Sequence, residues 1–166
     1  MTSPWPGAEG NPTFPEGLIA VVWSASLGPG LVVTPTRILG SNLSNWKAYC
    51  EVYLGPNSKA TASDRDSAYS WAGKLVEQKV FELSKESIRT ILYRRPSYFS
   101  RGHVIFKTNS EEKFVLIGTT TSDVGVRKTL QVLVPALEAF AQDRLYNEKT
   151  GNLLINDIQE KGFWKV

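Results

Sequence analysis

The sequence predicts a mainly β, α+β domain, built as an antiparallel meander or partly open barrel with a helical insertion and a long C-terminal amphipathic helix. Three observations predict it. Short β-rich runs separated by turn signals extend from residue 18 to residue 119. The links between the later runs are too short for the crossovers that parallel strands need. Beyond residue 121 the apolar period becomes that of a helix.

Composition and length fit one ordinary globular domain. The chain has 166 residues, of which 42% are hydrophobic and 21% charged. No apolar run approaches the roughly 20 residues that cross a bilayer, and the N-terminus lacks the basic start and apolar core of a secretory signal. Cys50 is the single cysteine, so no intrachain disulfide can form. We therefore expect a cytoplasmic protein, with the membrane periphery as an alternative location.

Residues 1–17 are rich in proline and glycine. Proline lacks a backbone donor and glycine raises the cost of ordering, so this composition favours a flexible arm over a packed element. Trp5 and Phe14 are the residues that would dock the arm on the body. The alternative is a disordered tail.

Two β-rich runs follow the arm. Leu18–Ser26 is the first predicted strand, and Gly28-Pro29-Gly30 predicts a turn after it. Leu31–Gly40 (LVVTPTRILG) is predicted as a second strand. Because Pro35 cannot donate to the ladder, this strand should lie on an edge or bend at that residue.

The stretch of about residues 41–78 is predicted to be a structured insertion, because it is too long for a plain loop in a compact domain. Ser63-Asp64-Arg65-Asp66 indicates a helix start with acidic residues in the first turn. Four residues would form the apolar face of that helix: Ala68, Trp71, Ala72 and Leu75. Residues 45–54 are compatible with either a short helix or a strand.

Four more strands are predicted after the insertion: Lys79–Ser84, Ile88–Arg95, Gly102–Thr108 and Lys113–Thr119. Their short links favour antiparallel hairpins. Alternation puts Phe81 and Leu83 on one face and Glu82 on the other, and it separates Val104 and Phe106 from their neighbours. We therefore expect a sheet with one well-buried face.

The last strong pattern begins at Ser122-Asp123, either of which can cap a helix. Apolar residues then recur at intervals of three and four: Val126, Leu130, Leu133, Leu137, Phe140, Ala141 and Leu145. Pro135 falls inside this pattern, which predicts a kink or a later helix start. Residues 151–166 are too apolar for a solvated tail, so they are expected to pack on the domain or on a second copy.

The layout and two local sequences resemble the bacterial pleckstrin-homology-like and GRAM-like domain family over roughly residues 18–146. LVVTPTRILG is similar to the family's strand with a Thr, a short polar pair, an Arg and apolar residues. KVFELSKESIRTILYRR followed by RGHVIFKTNSEEKFVLI is similar to its succession of strands and polar turns. The resemblance implies a domain over 18–150 that is non-catalytic, recognises lipid headgroups or proteins and often self-assembles. The insertion departs from the family's usual short link.

Charge is unevenly distributed along the chain. The segment Ile88–Lys107 contains five cationic residues and no carboxylate, so it carries +5, whereas the whole chain carries +3. The remainder is therefore net acidic, at −2. This acidic remainder argues against nucleic acid as a partner, although aromatic residues lie among the arginines.

The basic segment supplies the candidate binding site. Its anion-binding residues are Arg94, Arg95, Arg101 and Lys107, and the apolar tip of the turn is Tyr98 and Phe99. Guanidinium groups bind phosphate oxygens in paired hydrogen bonds, and aromatic residues can enter a membrane interface beside them. The expected ligand is an anionic headgroup or an acidic protein. In the alternative, these cations pair with carboxylates of neighbouring strands, which are Glu82, Glu86, Glu111 and Glu112.

Large aromatic residues outside the basic segment are candidates for an interface. They are Trp46 and Trp71 in the insertion and Phe163 and Trp164 near the C-terminus. Such residues are enriched at protein interfaces and in pockets, but they also serve in ordinary packing, which is the alternative interpretation.

Catalysis has little support in the sequence. His103 is the single histidine, so a histidine-rich metal cluster is impossible, and a dyad of Cys50 with His103 has no local signature. We expect no cofactor, no metal and no enzymatic activity. The sequence predicts a non-enzymatic binding or assembly module, and the alternative is a self-associating structural subunit without a small ligand.

Overall fold

The computed structural model describes residues 5–24, 28–41, 49–94, 103–116 and 124–141. These residues form a mixed α+β structure with two antiparallel sheets and two α-helices. The strands are β1 (Ala20–Ser24), β2 (Gly28–Val33), β3 (Arg37–Gly40), β4 (Tyr49–Tyr53), β5 (Phe81–Ser84), β6 (Ile88–Arg94), β7 (His103–Thr108) and β8 (Glu112–Leu116). The helices are α1 (Ala62–Gln78) and α2 (Val124–Ala141).

The first sheet has the order β4-β1-β2-β3-β5, and the second has the order β6-β7-β8. Every pairing in them is antiparallel, and the short links predicted the β6–β7 and β7–β8 pairings. The hairpin predicted across residues 84–87 was wrong, because β5 pairs with β3 and lies in a different sheet from β6. A single 3-10 turn, Lys85–Ser87, leads from the last strand of the first sheet to the second. Within the described residues the sheets do not close into a barrel.

The predictions for the first strands were right in one part and wrong in two. The bend expected at Pro35 is confirmed, but Leu31–Gly40 is not a single strand, because it is divided at Thr34 to Thr36 into β2 and β3, which pair with each other. Gly28-Pro29-Gly30 belongs to β2 instead of forming a turn. Pro29 lies opposite Trp23, beside a register shift at which Gly30 is the extra residue of β2.

The insertion contributes a strand as well as a helix. For residues 45–54, which allowed either, Tyr49–Tyr53 is β4 and pairs along the whole of β1. Helix α1 begins one residue before the predicted start and is capped by Thr61. The Thr61 Oγ1 accepts a bond from the Asp64 amide, and the Asp64 carboxylate accepts one from the Thr61 amide.

The first sheet is buried on both faces. Val22 and Leu31 point into a core shared with the second sheet and α2, whereas Val21 and Val32 point into a second core beneath α1. Burial on both faces explains the continuous apolar run at the start of β1, where a one-sided sheet would alternate. The insertion helix therefore covers the outer face of this sheet, through Ala68, Ala72 and Leu75.

The second sheet and its neighbour β5 follow the predicted alternation. Phe81 and Leu83 are buried and Glu82 is exposed, while Val104 and Phe106 are fully buried. In α2, Leu133, Leu137, Phe140 and other apolar residues pack on the shared core, and Pro135 lies inside the helix. Leu145, the last residue of the predicted apolar pattern, lies outside the described residues, as does the segment 151–166.

The expected arm lies against the first sheet over residues 5–17. Phe14 is fully buried in the core beneath α1. The Gly7 amide donates to the Leu54 carbonyl at 3.0 Å, and the Leu18 amide donates to the Gly7 carbonyl at 2.9 Å. The two ends of this N-terminal loop, Gly7 and Leu18, are therefore joined, which gives a compact surface loop closed on the body.

Candidate functional site

The basic segment forms the β6–β7 hairpin. Arg94, the last residue of β6, pairs with His103, the first residue of β7, so residues 95–102 connect these two strand ends. Arg95, Tyr98, Phe99 and Arg101 lie outside the described residues. The structure thus gives the strands that carry this turn and the end of the second sheet to which it belongs.

Lys107 lies away from the turn. It is four residues along β7 from His103, which corresponds to about 13 Å in a strand. Lys107 Nζ is 3.5 Å from Glu112 Oε1. Across the ladder Lys107 lies opposite Thr90, which is four residues before Arg94 at the turn end of β6. Arg89, also at this opposite end, donates from Nε to Asn109 Oδ1 at 3.1 Å. Of the four candidate anion-binding residues, Lys107 therefore lies apart from the turn. The three that remain as candidates are Arg94, Arg95 and Arg101.

Two of the carboxylates considered as partners for these arginines lie at the β7–β8 turn, which is the opposite end of the sheet. Glu111 is 3.4 Å from Lys113 Nζ, and Glu112 pairs with Lys107. Because the β6–β7 and β7–β8 turns lie at opposite ends of β7, neither carboxylate reaches the basic turn from its observed position.

The other two carboxylates considered as partners are Glu82 and Glu86. Glu82 is engaged in the first sheet, with its Oε2 3.4 Å from Arg37 Nη1 and its Oε1 2.7 Å from Lys79 Nζ. Glu86 lies in the turn just before Ile88, the first residue of β6. Ile88 is about 20 Å from Arg94 along the strand. Glu86, Glu111 and Glu112 thus lie at the opposite end of the second sheet from the turn, and Glu82 is paired within the first sheet.

Among the candidate interface aromatics, Trp71 is the one that the structure describes. It is half-buried on α1 and stacks on Trp23, with ring centroids 5.8 Å apart and planes inclined by 15°. The Lys74 ammonium lies 4.3 Å from the centre of the Trp71 ring. Trp71 therefore packs α1 against β1 and still presents part of its surface. Trp46, Phe163 and Trp164 lie outside the described residues.

The residues of the candidate dyad lie in different sheets, Cys50 in β4 and His103 in β7. The described residues include no group of three His, Cys, Asp or Glu side chains that could hold a metal ion. In the same ranges, neither helix is long and apolar enough to span a bilayer.

A surface cavity of about 330 Å³ lies between β4 and the start of α1. Two of the polar residues that line it, Ser58 and Asp64, make hydrogen bonds within the fold. The Ser58 hydroxyl donates to the Tyr53 carbonyl, and the Asp64 carboxylate caps α1. These bonds account for a depression formed by a turn and a helix cap.

A polar cluster that the sequence did not predict as a site surrounds Glu16. One oxygen, Glu16 Oε2, lies 2.8 Å from Arg37 Nε, 2.9 Å from Thr36 Oγ1 and 3.1 Å from Thr34 Oγ1. Burial opposes ionisation of Glu16, but the bonds from Arg37 and Thr36 outweigh it, and its pKa is lowered. The signal in the sequence is the group of donors in Thr34-Pro35-Thr36-Arg37, the turn between β2 and β3.

Arg37 makes further contacts with the N-terminal loop. Its Nη2 donates to the Thr13 carbonyl at 2.9 Å, and its guanidinium lies 5.1 Å from the centre of the Phe14 ring. Burial would lower the pKa of Arg37, but the charges of Glu16 and Glu82 raise it instead. Arg37 thus holds a stretch of four residues, 13–16, through backbone, ring and carboxylate.

Comparison of the chain with protein-family models, curated proteins and solved structures found no match.

Proposed function

We propose that this chain is a non-enzymatic binding module of the pleckstrin-homology-like type, enlarged by an insertion. The support is the strand order. Without β4, the first sheet has four strands in the order β1-β2-β3-β5, the second has three, and α2 follows. A four-stranded sheet, a three-stranded sheet and a C-terminal helix are the layout of that superfold. In this interpretation β4 and α1 are an insertion between its third and fourth strands.

The proposed ligand is an anionic surface, and the binding element is the β6–β7 turn with Arg94, Arg95 and Arg101. One observation carries this proposal: the four carboxylates considered as partners of these arginines pair elsewhere or lie at the other end of the sheet. Guanidinium groups bind phosphate and carboxylate oxygens in paired hydrogen bonds. Because Tyr98 and Phe99 occur between the arginines, an anionic membrane surface is the favoured source of such groups.

The test is co-sedimentation with vesicles of phosphatidylcholine alone or mixed with phosphatidylserine. We expect the chain to sediment with the mixed vesicles. We expect the triple variant Arg94→Ala, Arg95→Ala, Arg101→Ala to remain largely in the supernatant, since each lost cation removes about 1 kcal/mol near an anionic surface.

The matched control removes three cations from the opposite end of the same sheet: Arg89→Ala, Lys107→Ala and Lys113→Ala. It has the same net charge as the first variant, but it leaves the turn unchanged. If both variants lose binding equally, net charge is responsible and the turn is not the site. If wild type and both variants bind neither kind of vesicle, an anionic membrane is not the ligand.

A further inference from the structure

The β2–β3 turn has the construction of a carboxylate-binding site. Thr34 is fully buried, and its Oγ1 accepts bonds from the Thr36 and Arg37 amides at 3.2 and 3.0 Å. These bonds hold the turn in shape from within. The Arg37 Nε group and the Thr36 hydroxyl of this turn both donate to one point, which Glu16 Oε2 occupies. Such a preorganised set of donors costs little to organise when a carboxylate binds.

The present occupant of this site supplies more than a carboxylate. Two residues before Glu16, the Phe14 ring is fully buried and lies beside the Arg37 guanidinium. Pro15 stands between them and is exposed. The recognised pattern is therefore an aromatic residue, a spacer and an acidic residue, with Arg37 in contact with both ends of the pattern.

The rest of the N-terminal loop is held through groups that any peptide has. Arg65 donates from Nε to the Pro6 carbonyl at 3.0 Å and from Nη2 to the Glu9 carbonyl at 2.7 Å. The Tyr69 hydroxyl lies 2.9 Å from the Gly7 carbonyl oxygen. Contacts to backbone carbonyls give affinity without selecting a side chain, so selectivity comes from the aromatic and acidic residues.

The pair at the centre of the site is partly open to solvent. The Glu16 and Arg37 side chains are 15% and 23% exposed, so a competing segment can reach them from solvent.

We infer that the turn Thr34–Arg37 is a docking site for an acidic segment of a partner protein, with an aromatic residue two positions before a glutamate or aspartate. In the free chain, Phe14-Pro15-Glu16 occupies the site as an internal ligand. The site lies on the first sheet, away from the basic turn, so it does not depend on the vesicle-binding proposal. An attached occupant competes at high effective concentration, and the intact chain therefore binds such a segment weakly.

The experiment uses the full-length chain and a fluorescent peptide with the sequence of residues 10–18, GNPTFPEGL. The variant Glu16→Ala removes the internal carboxylate. It leaves intact the carboxylate cradle, which is the set of donor groups on Thr34, Thr36 and Arg37. We expect it to bind the peptide about tenfold more tightly than wild type in fluorescence anisotropy, because the fraction of open sites rises. Adding Arg37→Ala to this variant should abolish the gain. A peptide in which alanine replaces phenylalanine and glutamine replaces glutamate should not bind.

A folded Glu16→Ala chain that binds no better than wild type overturns the proposal, and so does binding that is insensitive to Arg37→Ala. Thermal unfolding establishes that each variant is folded. Gly7→Ala is a second way to open the site, because a Cβ there would overlap the Leu18 carbonyl and displace the loop without touching the cradle. If neither variant folds, the wild-type chain decides: millimolar peptide must shift the amide signals of Thr36 and Arg37 saturably, and unchanged signals refute the docking site.

Discussion

Arg37 donates from Nε to Glu16 Oε2 at 2.8 Å, and this bond joins the N-terminal loop to the β2–β3 turn. The same guanidinium lies 3.4 Å from the Glu82 carboxylate, so Arg37 also contacts β5 at the edge of the first sheet. Three segments distant in the sequence thus meet at one cation. Because Glu16 and Arg37 are both mostly buried, solvent screens this pair less than an ordinary surface pair.

The first prediction compares Arg37 with a neighbouring cation. Arg37→Ala should lower the free energy of unfolding by roughly 1–3 kcal/mol, since it leaves Glu16 and the Thr13 carbonyl without their donor. Lys79→Ala removes an exposed partner of Glu82 and should cost less than about 1 kcal/mol. Urea unfolding of both variants measures the difference. Equal losses would show that Arg37 behaves as an ordinary surface cation.

The second prediction concerns acid. Hydrogen bonding from Lys79 lowers the pKa of Glu82, and the bonds from Arg37 and Thr36 overcome burial to lower the pKa of Glu16. A carboxylate whose pKa is lowered by folding stabilises the native state above its unfolded pKa, and this contribution is lost as the pH falls through the folded value.

Both groups ordinarily titrate near 4.5, so their full contribution is present at neutral pH and declines in the acid range below that value. Glu16→Gln should therefore flatten the loss of stability on acidification, while it lowers stability at neutral pH. Urea unfolding over a pH series measures both effects. A variant that loses stability with acid as steeply as wild type would contradict the assigned role of Glu16.

The third prediction concerns Thr34, the fully buried threonine of the β2–β3 turn. Thr34→Val keeps the shape of the side chain but leaves the amides of Thr36 and Arg37 without their acceptor. The expected cost is about 1–3 kcal/mol. Thr34→Ser retains the hydroxyl and should cost clearly less. Thermal unfolding of the pair checks this, and a Thr34→Val variant that is no less stable than Thr34→Ser would contradict the role assigned to the hydroxyl.

Local patterns in the sequence identified much of the fold. The alternation of Phe81, Glu82 and Leu83 and the helical spacing of Ala68, Ala72 and Leu75 depend on single elements, and burial confirms both. The antiparallel pairing of β6 with β7 and of β7 with β8 followed from short links, whereas β5 and β6 are also joined by a short link but lie in different sheets.

Non-local relationships could not be predicted in the same way. The pairing of β4 with β1 joins residues about thirty positions apart, and the long link between them gave no indication of it. The continuous apolar run of β1 indicated a strand that is buried on both faces. It did not indicate that α1 covers the outer face of the first sheet.

The two binding sites differ in the same respect. A simple charge count identified the basic turn, because its cations are close together in the sequence. The carboxylate cradle of Thr34, Thr36 and Arg37 binds Glu16. Glu16 is about twenty residues earlier, in a segment expected to be a flexible arm. Composition favoured disorder there, and the tertiary contacts of Phe14 and Arg37 overrode it.

The fourth prediction tests whether α1 is part of the folding unit. Leu75 is fully buried in the core between α1 and the first sheet. Leu75→Ala should cost about 2–5 kcal/mol, as expected for a large-to-small change in a packed core. The neighbouring change Val76→Ala, at a partly buried position, should cost less. A single cooperative urea transition with this loss is expected, whereas an unchanged midpoint would mean that α1 is an independent appendage.

The fifth prediction contrasts two glycines. A Cβ at Gly73, inside α1, would meet no atom within 4 Å, so Gly73→Ala should raise stability by about 0.5–1 kcal/mol through better helix propensity. A Cβ at Gly40 would overlap the ring of Phe81, its partner across the β3–β5 ladder. Gly40→Ala should therefore destabilise the fold by roughly 1–3 kcal/mol, because Phe81 and its neighbour Phe106 must move. Thermal unfolding should shift the two midpoints in opposite directions, and a stabilising Gly40→Ala would refute the close packing of β3 against β5.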